Sequence, residues 1–138
     1  MARQEIQLRC RRVVHGRASG ELLVSGDDIC FYLVNPDDGV VIDKGHDLEG
    51  HSVAGKVLVF PNGKGSSVVQ LDGLYQLGAK GNLPAAMVVG TLDTVLVACA
   101  VILEIPTVTG VDLAAFNDVE DGMVVTVDAD RGLIVSEG

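Results

Sequence analysis

The sequence predicts an α/β domain whose mixed sheet has a central parallel βαβ core and antiparallel strands from both ends of the chain. An apolar run over residues 57–60 is followed by a glycine turn, a helix-like pattern over 66–77 and a second apolar run over 83–89. Strands that alternate with a helix pair in parallel because the connection must cross over the sheet. Alternating residues near the N-terminus and a hairpin pattern near the C-terminus supply the antiparallel strands.

The N-terminal part of the chain predicts short strands separated by turns. Residues 6–14 alternate in character, with Ile6, Leu8 and Cys10 on one face, which is typical of a strand. Three further segments follow from residue type: a turn over 15–20, a short strand over 21–24 and a strand over 29–34. A strong turn signal at 35–39 and a polar loop over 43–51 complete this half.

The C-terminal part begins with the predicted helix over 66–77, which is expected to end at Gly78, because glycine often follows a helix. Residues 91–96 predict a short helical turn, and residues 98–105 are a third apolar segment closed by Pro106. Residues 111–116 predict a short helix with Thr109 as candidate cap. The tail over 123–135 predicts a hairpin with its turn at 130–132.

Length and charge limit the classes of function. The 138 residues, of which 48% are hydrophobic, predict a single domain spanning 1–138. The net charge of −9 argues against nucleic-acid binding, which requires clustered cations. One basic cluster exists, formed by Arg9, Arg11, Arg12 and Arg17. A solvated strand face is the favoured interpretation of this cluster, and a docking surface or a substrate-phosphate contact is the alternative.

The cysteines and the apolar runs predict a cytoplasmic protein. Cys10, Cys30 and Cys99 are odd in number and show no CxxC spacing, so a disulfide framework is not expected and a reducing compartment is. The first five residues are polar and do not resemble a signal peptide. The apolar run over 95–105 contains Glu104 and is too short to span a bilayer, so no membrane association is expected.

The segment Gly63-Lys64-Gly65-Ser66-Ser67 is the strongest candidate site. It lies between a predicted strand and a predicted helix, which brings free backbone N–H groups and the Ser66 hydroxyl together. Because a helix N-terminus favours anions, a small anionic ligand is expected beside this hydroxyl. From residue type alone, however, capping of the helix is the favoured function of Ser66.

Other chemistry has less support in the sequence. His46 and His51 lie in the polar loop without an evident third ligand, so no metal site is predicted. The three scattered cysteines lack the spacing of iron–sulfur ligands. A phosphocarrier with a phosphorylated histidine fits poorly, since no histidine lies on a strand-to-helix turn.

Several segments, in order and spacing, resemble the swivel domain of aconitase X over residues 16–106. They are Gly20-Glu21-Leu22-Leu23-Val24-Ser25, then Asp37-x-Gly39-x-Val41-Ile42-Asp43-x-x-His46-x-Leu48-x-Gly50, Gly55 through Phe60 with Pro61-x-Gly63-Lys64-Gly65-Ser66-Ser67, and Pro84-Ala85-Ala86. The resemblance implies a swivelling β/β/α domain of a dehydratase.

The resemblance also implies a partner and a reaction. In archaeal members the domain is a separate small subunit of similar length. Such enzymes remove water from mevalonate 5-phosphate to give trans-anhydromevalonate 5-phosphate, a step of isoprenoid biosynthesis. An aconitase-like large subunit would complete the heterodimer and carry the iron–sulfur cluster that binds the leaving hydroxyl, so this chain is expected to bind no cofactor. A cis-3-hydroxyproline-type dehydratase, as in bacterial members, is the alternative. A non-catalytic module that completes a partner's site is another.

By this resemblance Ser66 is the proton acceptor. Gly63, Lys64, Gly65 and Ser67 are the expected substrate-binding residues. Val68 stands where aconitase has a carboxylate-binding arginine, so that contact is expected from Arg17, Lys64 or the partner subunit.

Overall fold

A computed structural model describes residues 5–119 and 122–136 of the protein. Within them, eight strands form one mixed sheet, which confirms the predicted α/β class. The strands are β1 Gln7–Arg9, β2 Arg11–Val14, β3 Arg17–Val24, β4 Val57–Phe60, β5 Ala86–Val89, β6 Thr107–Thr109, β7 Val124–Asp128 and β8 Leu133–Ser136. The helices are α1 Ser67–Ala79 and α2 Thr94–Ile102, with short 3₁₀ helices at Phe31–Leu33 and Leu113–Phe116.

The sheet has the order β1-β8-β7-β3-β4-β5-β6-β2. Strands β3, β4, β5 and β6 are parallel to one another, while β7 pairs antiparallel with β3 and β8, β1 with β8, and β2 with β6. This is the predicted arrangement of a parallel core flanked by both ends of the chain. Both outer strands belong to one chain segment, since β1 and β2 are separated only by Cys10. The two edges of the sheet are therefore joined by the chain itself.

Two apolar clusters show that the sheet folds over itself, so that its antiparallel part, its parallel part and the helices form three layers. Side chains of β4 alternate between them: Leu58 and Phe60 belong to the cluster under the helices, and Val57 and Val59 to the cluster against β7 and β8. Successive strand residues point to opposite faces, so a strand covered on both sides is apolar throughout. The β/β/α architecture expected from the family resemblance is thus present.

The first predicted elements that differ lie before β4. The expected turn over 15–20 is mostly the start of β3, because Arg17 to Glu21 pair with β7. The expected strand over 29–34 is instead the 3₁₀ helix Phe31–Leu33, with single bridges at Ile29 and Val34. Apolar side chains fit either state, and here Ile29, Phe31 and Val34 are buried, whereas Tyr32 is exposed.

The second set of differences lies after β4. Helix α1 continues through Gly78 to Ala79, and the third apolar segment belongs mainly to α2. Thr109 ends β6, and Asp112 caps the 3₁₀ helix Leu113–Phe116. The tail hairpin is confirmed as β7 and β8. No helix within residues 5–119 and 122–136 has the length and apolarity needed to cross a membrane.

Candidate active site at the Ser66 turn

The Ser66 turn, residues 61–66, lies at the carboxyl edge of the parallel strands. It follows β4, and two further loops leave the same edge: residues 25–30 after β3 and residues 90–93 after β5. In open parallel sheets, ligands bind at this edge because loops and helix N-termini converge there. The fold therefore places the Ser66 turn where a site is expected.

Backbone hydrogen bonds fix this turn to both neighbouring loops. The Ile29 N–H donates to Asn62 O over 3.0 Å, and the Lys64 N–H donates to Ile29 O over 2.9 Å. On the other side, the Thr91 N–H donates to Pro61 O over 2.8 Å. The turn is therefore held by residues distant in the sequence, which limits its freedom.

Ser66 is the N-cap of α1 and is exposed. Its Oγ accepts a long hydrogen bond of 3.4 Å from the Val69 N–H, and its carbonyl oxygen accepts from the Gln70 N–H at 3.0 Å. The N–H groups of Ser67 and Val68, the first two of α1, have no acceptor within the helix. The first turn of α1 carries no acidic residue. An anion can therefore bind at this helix end beside the Ser66 hydroxyl.

The two glycines of the turn serve different purposes. Gly65 has φ +113°, a conformation that other residues rarely adopt. Gly63 has no such φ, but a Cβ there would lie 2.5 Å from Gln70 Nε2 and 3.2 Å from Asp93 Oδ2. Gly65 is thus required by backbone conformation and Gly63 by the close approach of two side chains.

Lys64 is exposed and lines an open pocket of about 480 Å³ beside the turn. The other lining residues are Asp27, Asp28, Asp43, Lys44, Gly45 and His46. Three aspartates outnumber two lysines in this lining. The pocket therefore does not concentrate positive charge for an anionic substrate.

His46 ties this loop to its neighbour. Its Nδ1 accepts from the Leu48 N–H at 2.9 Å, and its Nε2 lies 2.8 Å from Asp28 O. This pattern requires the tautomer protonated at Nε2, since a carbonyl oxygen accepts and an N–H donates. Both ring nitrogens are occupied, so His46 has a structural role here. His51 is exposed in the same loop.

The structure does not bring Arg17 to the Ser66 turn. Arg17 begins β3, and its exposed side chain has Nε 4.0 Å from Oδ2 of the partly buried Asp128. Only the last residues of β3, Leu22 to Val24, pair with β4, and Ser66 lies beyond the other end of β4. The two residues are therefore at opposite ends of the sheet. By contrast, Ser67 and Val68 lie directly at the turn, and both are exposed.

Sequence reasoning missed two residues at this site, Gln70 and Asp93. Gln70 is buried at 2% exposure on the face of α1 that carries Leu74 and Leu77. Asp93 caps α2 by accepting from the Leu96 N–H at 2.7 Å. A polar residue on an apolar helix stripe, and an aspartate ahead of an apolar run, were the available signals.

The thiols of this chain do not form a ligand set. Within the described ranges, no group of three or more His, Cys, Asp and Glu side chains is arranged to hold a metal ion. Burial raises the pKa of the Cys99 thiol, with a further contribution from Asp93, and burial also raises the pKa of Cys10, with a further contribution from Asp128. Both shifts favour the neutral thiol over the thiolate that binds metals.

Comparison with known proteins identifies the family of this chain. The family model of the aconitase X swivel domain matches residues 7–136. The chain belongs to the aconitase X swivel domain family. The match includes the Ser66 turn and both of its neighbouring loops.

Relatives in this family are named as subunits of a dehydratase. The phosphomevalonate dehydratase small subunit of Thermococcus kodakarensis is 41% identical over 128 residues, covering 92% of this chain and 93% of that protein. The protein of the same name from Methanothrix thermoacetophila is 42% identical over 131 residues, covering 94% of both chains.

A solved structure of this family has the same fold. The crystal structure of Thermococcus kodakaraensis aconitase X in its holo-form matches with a TM-score of 0.86 and 40% sequence identity. The alignment covers 96% of this chain and 99% of that chain. The swivel-domain architecture is therefore shared over nearly the whole chain.

Proposed function

We propose that this chain is the small subunit of a two-subunit hydro-lyase that converts mevalonate 5-phosphate into trans-anhydromevalonate 5-phosphate, in the mevalonate route to isoprenoids. The observation that carries the proposal is the exposed Ser66 hydroxyl at the open N-terminus of α1. The names of relatives that cover more than nine-tenths of the chain support the choice of substrate.

In this reaction the Ser66 alkoxide would accept a proton from C2 of the substrate as the C3–O bond breaks, and the departing hydroxyl would take up a proton from solvent or from the large subunit to leave as water. Serine is a weak acid and acts as a base only when its alkoxide is stabilised. The unsatisfied N–H groups of Ser67 and Val68 and the positive end of the α1 dipole provide such stabilisation. Gly63 and Gly65 let the turn adopt this geometry, and the exposed side chains of Lys64, within the turn, and Ser67, directly after it, would contact an anionic substrate.

Most of the positive charge that binds the anionic substrate must come from a partner. Val68 is exposed at the helix end and offers no charge, and the pocket next to Lys64 contains three aspartates. Arg17 lies at the opposite end of β3, so we leave it out of the substrate site. We therefore expect the large subunit to supply the cations for the carboxylate and the phosphate.

An exposed apolar surface beside the turn supports the presence of that partner. Val68 and Leu71 on α1 are 74% and 42% exposed, and Tyr75 is 61% exposed. An apolar surface next to a site usually indicates contact with another protein. We propose that the aconitase-like large subunit covers the part that adjoins Ser66.

We assign the iron–sulfur cluster to the large subunit as well. Cys10 lies between β1 and β2, Cys30 directly before the 3₁₀ helix Phe31–Leu33 and Cys99 in α2, so these three free thiols belong to separate parts of the fold and do not fit a cluster. When bound, the cluster would supply the Lewis acid for the leaving hydroxyl. Free thiols also suit the reducing cytoplasm, which we propose as the compartment.

The test is to combine the chain with its large subunit and measure water loss from mevalonate 5-phosphate. Ser66→Ala should lower turnover by about 10²–10⁴-fold, the usual contribution of a general base. Asp112→Ala is a matched control, because it removes a cap from the 3₁₀ helix Leu113–Phe116, where Asp112 Oδ1 accepts from the Ala114 N–H. Full turnover by the Ser66→Ala enzyme would contradict the assignment of the base.

A second candidate function is a non-catalytic module that only completes a partner's site. The observed bond from Val69 N–H to Ser66 Oγ favours it, because this is what a capping serine makes. In that case Ser66→Ala would lower the free energy of unfolding by about 0.5–2 kcal/mol and leave turnover unchanged. Measuring both quantities on the same variant separates the two functions.

A further inference from the structure

Gln70 is a buried polar side chain in the first half of α1, and it is 2% exposed. It lies on the helix face that carries Leu74 and Leu77, both of which are fully buried. Burial of an amide is costly unless its groups are hydrogen-bonded. An apolar residue at this position would pack without that requirement, so the bonds of Gln70 need an explanation.

The hydrogen bonds of Gln70 connect Ser66 to a distant segment. Its backbone N–H donates to Ser66 O at 3.0 Å. Its side-chain Oε1 accepts from the Phe31 N–H at 3.0 Å, and its Nε2 lies 3.5 Å from Ile29 O. Gln70 thus binds the Ser66 carbonyl oxygen through its backbone and two backbone groups of residues 29–31, the Phe31 N–H and Ile29 O, through its side chain.

Ile29 is also bound directly by the Ser66 turn. Its carbonyl oxygen accepts from the Lys64 N–H at 2.9 Å, so the turn and the Gln70 side chain share one acceptor. Nε2 of Gln70 also packs against Gly63, where a Cβ would lie only 2.5 Å away. The Gln70 side chain therefore contacts the turn directly at Gly63, and it is linked to Lys64 through their shared acceptor, Ile29 O.

Gly73, one helical turn after Gln70, shows that α1 and residues 31–32 are in very close contact. A Cβ at Gly73 would overlap the backbone of Phe31 and Tyr32. Residues three apart on a helix share a face, so Gln70 and Gly73 act on the same neighbour. Hydrogen bonds at one position and close packing at the other fix the start of α1 against this segment.

We infer that Gln70 is a positioning residue for Ser66: it sets the place of the Ser66 turn relative to the residues 29–31 and hence relative to substrate. This inference rests on the proposed function of Ser66. Gln70 is beneath the turn and does not contact substrate. An error of about 1 Å in the place of a catalytic group can cost on the order of 10²-fold in rate.

The first experiment uses the isolated full chain and measures backbone amide exchange by NMR. Gln70→Met keeps the length of the side chain and removes both hydrogen-bonding groups. Protection of the Phe31 and Lys64 amides should fall at least about tenfold further than that of Val59 in β4, because opening would be local. Gln76→Met is the matched control, since Gln76 is exposed on the same helix.

A second variant tests whether the amide pattern itself is what matters. In Gln70→Glu the ionised carboxylate would repel Ile29 O, whereas its protonated form can accept from Phe31 N–H and donate to Ile29 O. We expect burial to raise the pKa of the introduced carboxyl, and the negative charge of Asp93, which lies beside Gly63, to raise it further. Protection of Lys64 in this variant, relative to the wild type, should therefore recover as the pH is lowered, and it should not recover in Gln70→Met.

The third measurement is turnover after addition of the large subunit. Gln70→Met should lower kcat by about tenfold or more with little change in KM, because Gln70 does not itself bind substrate. Gln76→Met should match the wild type. Unchanged Lys64 protection or unchanged kcat in Gln70→Met would overturn the inference. Failure of the proposed function is read separately, from full activity of Ser66→Ala.

Discussion

The N-termini of α1 and α2 are similar in position but different in chemistry. Each follows a parallel strand, β4 or β5, and each has an N-cap residue with extended backbone, Ser66 or Asp93. The Ser66 hydroxyl accepts from Val69 N–H at 3.4 Å, whereas the Asp93 carboxylate accepts from Leu96 N–H at 2.7 Å. Two equivalent places in the fold therefore carry a weak neutral cap and a strong charged one.

This difference shows how one helix end is closed to anions and the other left open. A carboxylate at the N-terminus of α2 already satisfies the positive end of its dipole. At α1 the neutral hydroxyl leaves that field available for a ligand, and the first turn holds no acidic residue. Ser66, the cap that contributes less to stability, is thus the one whose hydroxyl remains available to act on a ligand.

The largest expected effect comes from making the two ends alike. Ser66→Asp keeps a good cap but places a carboxylate where the substrate anion is proposed to bind. Turnover of the assembled enzyme should fall by more than about 100-fold, while the melting temperature stays the same or rises.

Thr94→Asp is the control for Ser66→Asp, because it adds the same charge to the first turn of α2, where Thr94 is exposed. That enzyme should keep its turnover. An equal loss in both variants would show that total charge, and not the place of Ser66, determines the rate.

The next effect concerns a feature described for α1 and not for α2, its close packing against the backbone of a neighbouring segment. Gly73→Ala would force a Cβ into Phe31 and Tyr32 and should lower the free energy of unfolding by about 1–3 kcal/mol. In Gly78→Ala, in the same helix, the new Cβ meets only side chains, Leu83 Cδ1 at 3.4 Å and Leu103 Cδ2 at 3.6 Å, so this variant should raise the free energy of unfolding by up to about 1 kcal/mol. Urea unfolding of both variants measures this. Equal effects would mean that the contact at Gly73 is not limiting.

The strength of the two caps is the third point of comparison. Asp93→Ala should lower the free energy of unfolding by about 1–2 kcal/mol, and Ser66→Ala by about 0.5 kcal/mol, because the second bond is longer and exposed. Chemical denaturation at low salt measures both. The reverse order would contradict the view that Ser66 has been kept for chemistry more than for capping.

The smallest expected effect is a pH dependence within α2. Burial, followed by the charge of Asp93, raises the pKa of the Cys99 thiol above its ordinary value of 9.0. The folded state therefore keeps the proton longer than the unfolded state, and this contribution to stability is present below that value and lost as the pH rises above it.

Two measurements check the Cys99 prediction. The difference in free energy of unfolding between the wild type and Cys99→Ala should shrink between pH 8 and pH 10. At pH 8, iodoacetamide should modify Cys30, which is half-buried, before Cys99, which is buried. A faster reaction at Cys99 would contradict the direction of the shift.

The Ser66 turn could be located from sequence because its signals are local. A buried strand, glycines and a hydroxyl ahead of a helix pattern are all within about a dozen residues, and the structure has these elements in that order. It was harder to predict from the sequence that α2 is a helix. It is apolar on nearly every side, so neither period 3.6 nor period 2 stands out.

The residues that contact the turn could not be predicted from local sequence patterns. Gln70 was placed in a helix correctly, yet its bonds reach Phe31, 39 positions earlier. Arg17 was proposed as a substrate contact, but β3 carries it to the far end of the sheet, beside Asp128. Such distances depend on strand register and direction, which residue type does not specify.

By itself, the amino-acid sequence determined the parallel core, the closing hairpin and a hydroxyl at a strand-to-helix turn, since hydrophobic period and turn chemistry act over a few neighbouring residues. The tertiary structure alone decided which groups surround the turn: Ile29 and Gln70 are hydrogen-bonded to it, Asp93 lies beside Gly63, and Arg17 is far away. The physical reason is that a close contact between distant segments depends on how strands align and helices pack, and only the folded chain fixes both.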